Sequence, residues 1–185
     1  ALSIFFDSPL EEINISKLNV WAFRISYVGD LGWEIYIPTK YGQDVWDLLF
    51  EAGKSHGIIP AGIGVYGTTG RLEKGYRLFG AELEGEYNPI EAGLMRPKVK
   101  TQDFIGKETL MTLRKKDPIA IMCTLTVDNH ESSTGELRYM LGGEPILTVD
   151  GNRIVDIQGR SSYVTSAGSG PSTGKHILMA YLPSK

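Results

Sequence analysis

A single cysteine in 185 residues rules out an intrachain disulfide framework and suits a reducing compartment, the cytoplasm or, in a eukaryote, the mitochondrial matrix. That thiol, Cys123, lies in the run IAIMCTLTV, whose alternation reads as a half-buried strand; with no histidine or basic cluster beside it, it is expected to be a core thiol. Histidine is also scarce. His56, His130 and His176 are scattered, and none falls in an H-x-x-x-H or Cys/His spacing, so no metal site is expected. There is no excess of positive charge: 19 Lys and Arg stand against 22 Asp and Glu, dispersed along the chain, for a net charge of −3. Nothing in that balance draws the chain to nucleic acid. No apolar stretch approaches the roughly 20 residues of a membrane-spanning helix, and the start, ALSIFFDSPLEEI, is acidic where a signal peptide is basic. A soluble protein is expected. Because LSIFF reads as a strand entered partway and the first residue is Ala1, the numbering is expected to start inside a larger polypeptide. Two glycine-rich segments lack the spacing that phosphate binding needs. The stretch from Ser166 to Gly174 has no G-x-x-x-x-G-K-[ST], so a flexible linker is the better reading. GIGVYG, from Gly62 to Gly67, has no strand before it and no acid placed after it, so it reads as a packing turn.

What is present reads as an α+β chain. WAFRISY at 21–27 and WEIYIP at 33–38 alternate apolar and polar side chains across VGDLG, predicting two short antiparallel strands joined by a tight turn at Gly29, Asp30 and Gly32. After Pro38, the residues Tyr41, Val45, Leu48, Leu49 and Ala52 recur at helical spacing, predicting an amphipathic helix near 40–53 with Gly53 or Gly57 as its stop. A second helix, Val65 to Lys74, would bury Val65 and Leu72 and end at Gly75. Residues 80–97 are rich in Gly, Pro and Glu and read as irregular, followed by a basic strand PKVK and a helix from Lys107 to Lys115. Beyond Pro118 come β-like runs about ten residues apart: Ala120 to Val127, Glu144 to Val149, Arg153 to Gln158, Ser161 to Thr165 and Ile177 to Leu182. That spacing predicts a small C-terminal β-barrel. The expected domains are therefore 1–116, an antiparallel sheet with helices, and 117–185, the barrel.

YVGDLGWEIYIP carries the chemistry most worth following. Tyr27 closes one predicted strand and Glu34 lies second in the next, so both can face one pocket. An ionised carboxylate offers acceptor oxygens only, and beside Trp33 it suits a planar ligand that presents two adjacent N–H donors, as a pterin edge does. The alternative is a solvated strand glutamate, the commoner fate of this residue type. Arg71 offers a planar fork for carboxylates, or equally a helix-surface ion pair with an acidic neighbour.

Five segments occur in one order: YVGDLGWEIYIP, GRLEKGYRLFGAEL, NPIEAGL, DFIGKETL and the tail GGEPIL to HILMAYLP. Together they resemble the folate-binding T-protein of the glycine cleavage system, whose patterns include Y-T-G-[ED]-x-G-[WFV]-E, L-R-L-E-x-G and [LIV]-E-A-G-L. LEKGYR, NPIEAGL and DFIGKE are most similar to the folate-binding halves of dimethylglycine and sarcosine dehydrogenases. The resemblance implies that the chain is the tetrahydrofolate-binding portion of a one-carbon-transfer enzyme forming 5,10-methylenetetrahydrofolate. Its partners would be an N-methyl or aminomethyl donor and the missing N-terminal half of the same polypeptide, with FAD in a separate upstream domain in the dehydrogenase-like case. Carried over by position, Glu34 matches the glutamate that hydrogen-bonds the pterin, Tyr27 a tyrosine lining the same pocket, and Arg71 the arginine of the R-L-E block, while Trp33 flanks the site. Glu73 and Glu91 also match family positions but are expected to bind backbone or basic groups at turns. The family's catalytic aspartate belongs to the preceding half, so no catalytic residue is assigned here and the piece alone is expected to be inactive. A non-catalytic regulatory or binding module on the same scaffold is the competing reading.

Overall fold

A computed structural model describes residues 11–95 and 100–185; the strand readings at LSIFF and PKVK fall wholly or largely outside them. The chain divides into two compact units, residues 1–70 and 71–185. Both are antiparallel sheets accompanied by helices, the α+β class expected.

The first unit has a three-stranded sheet in the order β1 (Glu11–Ile15), β2 (Leu18–Phe23), β3 (Glu34–Tyr36). β2 buries Val20 and Ala22 and turns Trp21 and Phe23 to the opposite face. Its register places Trp21 opposite Tyr36 and Phe23 opposite Glu34, so these four side chains share that outer face. The connection is longer than the tight turn expected. Pairing stops at Phe23 and resumes at Glu34, so residues 24–33 form a loop, and Tyr27 lies in that loop rather than at a strand end. Arg24 ties the loop across itself by donating from Nη1 to the carbonyl of Gly32 at 2.8 Å.

A single 3-10 turn, Thr39–Tyr41, leads into α1 (Gly42–Gly53), and a second, Lys54–His56, ends at Gly57 with φ 71°. Only glycine adopts that left-handed conformation without strain, so the stop is the one expected. Of the predicted apolar face only Val45 is buried, at 2% exposure; Leu48 and Leu49 remain exposed. The second helix departs from expectation in its first half. Val65–Gly70 form a π-helical turn with Val65 58% exposed, and α2 (Arg71–Lys74) opens the second unit before Gly75 ends it. Two glycines within this π-turn supply no side chain to pack, and Gly70 is needed for a close approach: a Cβ there would meet Val28 Cγ1 at 2.6 Å and the Val65 carbonyl at 3.0 Å.

The second unit is organised around β6 (Lys175–Pro183), which pairs with β4 (Ala120–Val127) on one side and β5 (Val164–Gly170) on the other. Ile177 through Tyr181 are all buried, the continuous apolar run of a strand covered on both faces. Leu72 of α2 packs with Ile177 and Met179, and burying side chains of this size contributes about 1.5–3 kcal/mol each. β4 falls where alternation predicted it. Most of β5 lies in the segment read as a linker: Ser166, Ala167 and Gly170 are buried, and a Cβ on Gly170 would meet Ile177 Cδ1 at 2.4 Å. Small residues here permit close packing. The runs at 144–149 and 153–158 form isolated bridges, Pro145 to Tyr163, Leu147 to Arg153 and Val155 to Ser161, in place of extended strands. α3 (Lys107–Leu113) stops two residues before the predicted end.

Candidate functional site

Glu34 begins β3 on the outer face of the first sheet, half-buried, and its two carboxylate oxygens are each held by a phenol. Tyr36 Oη donates to Oε2 at 3.0 Å. Tyr66 Oη donates to Oε1 at 3.0 Å and itself accepts from the backbone N–H of Tyr27 at 3.1 Å. The rings of Tyr27 and Tyr66 lie 5.7 Å apart, and Phe23 meets Tyr36 edge to face at 4.9 Å. Burial and then the bond to Glu34 push the Tyr66 phenol above its ordinary value; the bond to Glu34 is the first cause for Tyr36. Both phenols therefore stay protonated as donors near neutral pH, and a carboxylate with about four lone-pair sites keeps one on each oxygen for another donor.

Trp33, 49% exposed, carries the Arg24 guanidinium 5.2 Å over its ring. Loop residues Arg24 to Ser26 and Gly29 to Gly32 line a cavity of about 240 Å³. That is below the roughly 300–1,000 Å³ of sites enclosing a whole small molecule, so this cavity is sized for part of a ligand.

The fold gathers Tyr27, Trp33 and Glu34 in the first unit, whereas Arg71 lies in the second. Arg71 is 3% exposed; its Nη1 donates to Glu82 Oε2 at 3.0 Å and to the Tyr76 carbonyl at 3.2 Å, and its Nη2 to Ser166 Oγ at 2.8 Å. Its ion pair is thus buried and made with a glutamate eleven residues away, unlike the helix-surface pair considered from sequence. Glu82 accepts further from the Leu78 N–H at 2.8 Å and from Thr165 Oγ1 at 2.7 Å. Glu91 and Glu73 act at turns as expected. Glu91 accepts from the Asn88 backbone and side-chain amides and from Arg160, and Glu73 takes the N–H and hydroxyl of Ser172.

Sequence reasoning missed Tyr36 and Tyr66. Tyr36 was within reach, because residues two apart on a strand share a face; Tyr66 carried no local signal, since its partners are 32 and 39 residues away. The fold also joins two histidines that are distant in sequence. The rings of His130 and His176 lie 5.4 Å apart with Tyr139 beside them, and His176 Nε2 is 2.8 Å from the Met140 carbonyl. Among the described residues no set of three or more His, Cys, Asp and Glu is placed to hold a metal ion, and no helix is long and apolar enough to cross a membrane. Cys123 sits half-buried in β4, where burial raises its thiol.

The fold defines an α+β unit whose polar outer-face site is a carboxylate framed by aromatic rings. By sequence the chain belongs to the glycine cleavage T-protein family: residues 6–101 match the family described as GCVT N-terminal domain. It is 33% identical over 175 residues to an aminomethyltransferase of Halalkalibacterium halodurans, covering 94% of this chain and 43% of that protein. An aminomethyltransferase of Thermoanaerobacter pseudethanolicus is 30% identical over 179 residues, covering 95% of this chain and 44% of that protein. The mitochondrial dimethylglycine dehydrogenase of Mus musculus is 31% identical over 177 residues, 94% of this chain and 18% of the dehydrogenase. The chain thus spans less than half the length of these relatives.

Proposed function

We propose that this chain is the tetrahydrofolate-binding portion of a one-carbon-transfer enzyme of the aminomethyltransferase type, one that forms 5,10-methylenetetrahydrofolate. In this reading residues 1–116 are the second half of the folate-binding domain and 117–185 a small closed β-barrel. The observation that carries it is the state of Glu34: an acceptor-only group whose oxygens are each steadied by one phenol and each keep a lone pair. Two parallel acceptors match the adjacent N–H donors of a pterin ring. Trp33 and the Tyr27 ring supply apolar surface beside it, and the loop cavity takes one end of the ligand. Bound tetrahydrofolate supplies the nitrogens that accept the one-carbon unit. An N-methyl or aminomethyl donor is the second substrate, the rest of the pocket comes from the N-terminal half of a longer polypeptide, and in a dehydrogenase-like arrangement a separate upstream domain holds FAD. GIGVYG makes no dinucleotide cradle for a flavin: it runs into a π-helical turn, and among the described residues no strand leads into it. The compartment proposed is the cytoplasm or mitochondrial matrix.

The test is to titrate tetrahydrofolate into the natural polypeptide carrying this chain, as parent, Glu34→Gln and Asp30→Asn. Gln keeps one acceptor and turns an NH₂ donor towards a ligand donor. Glu34→Gln should lose about 2–4 kcal/mol, roughly 30- to 1,000-fold in Kd, and Asp30→Asn clearly less. Parental affinity in folded Glu34→Gln would remove Glu34 from the site. Parental folate binding without turnover would favour the non-catalytic module instead.

A further inference from the structure

We propose that Tyr66 is the positioning residue of this site, setting the Glu34 carboxylate and the loop that carries Tyr27 as one unit through a single hydroxyl group. The inference rests on the folate reading above and adds to it a residue that neither the motifs nor the relatives' names single out.

One oxygen does two jobs. As a donor, Tyr66 Oη reaches Glu34 Oε1 at 3.0 Å; as an acceptor, it takes the Tyr27 N–H at 3.1 Å. A hydroxyl has one hydrogen, so its donation to the carboxylate is fixed by the fact that a backbone N–H can only donate. The bond to Glu34 is charge-assisted, which makes it the stronger of the two and directional. Burial and the carboxylate keep the phenol protonated.

Backbone geometry holds the hydroxyl in place from the other side. Tyr66 is presented by the π-helical turn Val65–Gly70, and the loop approaches that turn so closely that Val28 packs where a Gly70 side chain would stand, 2.6 Å from its Cβ position. Loop, π-turn and strand therefore meet at Tyr66. Tyr36 also donates to Glu34, but it is exposed and lies two residues along the same strand, so it reports nothing about the loop.

The consequence is directional. With Tyr66 in place, Oε1 and Oε2 present their remaining lone pairs in a fixed plane, suited to a ligand edge with two donors. Without the hydroxyl, the carboxylate can rotate about its last bond and the Tyr27 N–H loses its acceptor, while the ring contact between Tyr66 and Tyr27 is retained by phenylalanine.

The experiment uses the natural polypeptide carrying this chain, as parent, Tyr66→Phe, Tyr36→Phe and Glu34→Gln, each checked for folding by circular dichroism. Two ligands are titrated: tetrahydrofolate, and an analogue in which a methyl group replaces the 2-amino group and so removes one edge donor. Positioning predicts that Tyr66→Phe weakens tetrahydrofolate by about tenfold, changes affinity for the analogue by less than about twofold, and exceeds the effect of Tyr36→Phe. Equal weakening of both ligands would mean a merely structural hydroxyl and overturn the proposal, as would unchanged tetrahydrofolate binding in Tyr66→Phe while Glu34→Gln remains impaired. Unchanged binding in Glu34→Gln is a separate result: it removes the folate reading itself, and Tyr66 falls with it.

Discussion

Residues 1–70 and 71–185 use carboxylates in opposite ways. In the first unit Glu34 sits on the outer face of a sheet, held by neutral phenols, in company with Trp21 and Tyr36, aromatic side chains that remain exposed. In the second, Glu82 and Glu91 are buried and paired with Arg71 and Arg160. Phenols steady a carboxylate without neutralising it, so it keeps its charge for another partner; an arginine consumes that charge. The same residue type thus keeps acceptor sites open in one place and holds the core together in the other, and surroundings decide which.

The sharpest way to break this contrast is at Glu82. Removing one member of a buried pair strands the other, which costs about 3–5 kcal/mol. Arg71→Met should therefore lower the unfolding free energy in a urea titration by about that amount, and the doubly substituted Arg71→Met, Glu82→Gln chain should recover part of it, because no charge is then left alone and the amide still pairs with the Leu78 N–H and the Thr165 hydroxyl. A loss under about 1 kcal/mol for Arg71→Met would mean that Arg71 is not structural and would return it to the list of ligand-facing residues.

How far this contrast could be read from sequence depends on which residues define it. β4 was legible because Ala120 to Val127 alternate, and α1 because Tyr41, Val45 and Ala52 recur at helical spacing. Spacing could not tell that Leu48 and Leu49 stay exposed, since periodicity reports a face and not what covers it. β5 was illegible for the opposite reason. Its Ser, Ala and Gly residues look like a linker, and their fitness as a packed strand appears only beside Ile177. Glu34 was legible as a chemical group next to Trp33. Its partner Tyr66 was not, because a contact across 32 residues leaves no mark on either local pattern. Arg71 shows the limit most plainly: the motif drew attention to it, but only the fold turns its guanidinium inward to Glu82, Tyr76 and Ser166.

A smaller effect should separate Arg160 from Arg71 by its dependence on pH. Arg160 bonds Glu91 Oε1 through Nη2 and Asp156 Oδ2 through Nε, both at 2.6 Å, and lies 4.3 Å over the Tyr87 ring, which stacks on Tyr181. Burial pushes both carboxyls up. For Glu91 the Arg160 side-chain bond, Asn88 and the Arg160 charge outweigh it; for Asp156 the Arg160 backbone and side-chain bonds and the Gln158 amide do so, and both end below their ordinary values. Groups depressed in the folded state stabilise it above their unfolded range, and that contribution is lost as pH falls through the folded values. Arg160→Met should cost about 1.5–3 kcal/mol at neutral pH, with the gap to the parent narrowing below about pH 4. Denaturation curves at a series of pH values would show it. A gap that stays constant into acid would mean that stacking on Tyr87, and not the carboxylates, accounts for the role of Arg160.

The smallest effect is expected at Glu73, the carboxylate at the rim of the second unit. Its Oε1 accepts the Ser172 N–H at 2.6 Å and its Oε2 the Ser172 hydroxyl at 3.0 Å, which pins the turn between β5 and β6 to α2. Neither donor is charged, so the glutamate is not neutralising anything. In Glu73→Gln the amide oxygen can keep the backbone N–H, which has no freedom to turn away. The amide NH₂ then faces the serine hydroxyl, and a hydroxyl rotates to accept as readily as it donates. Both bonds survive with roles exchanged, so stability should change by less than about 0.5 kcal/mol. Glu73→Ala removes both acceptors and should cost about 1–2 kcal/mol, the net worth of two ordinary hydrogen bonds with water able to replace part of them. A denaturant series on the two variants separates the cases. If Glu73→Gln costs as much as Glu73→Ala, the charge itself matters at this turn, and the contrast between the phenol-held Glu34 and the arginine-paired carboxylates of the second unit would not extend to Glu73.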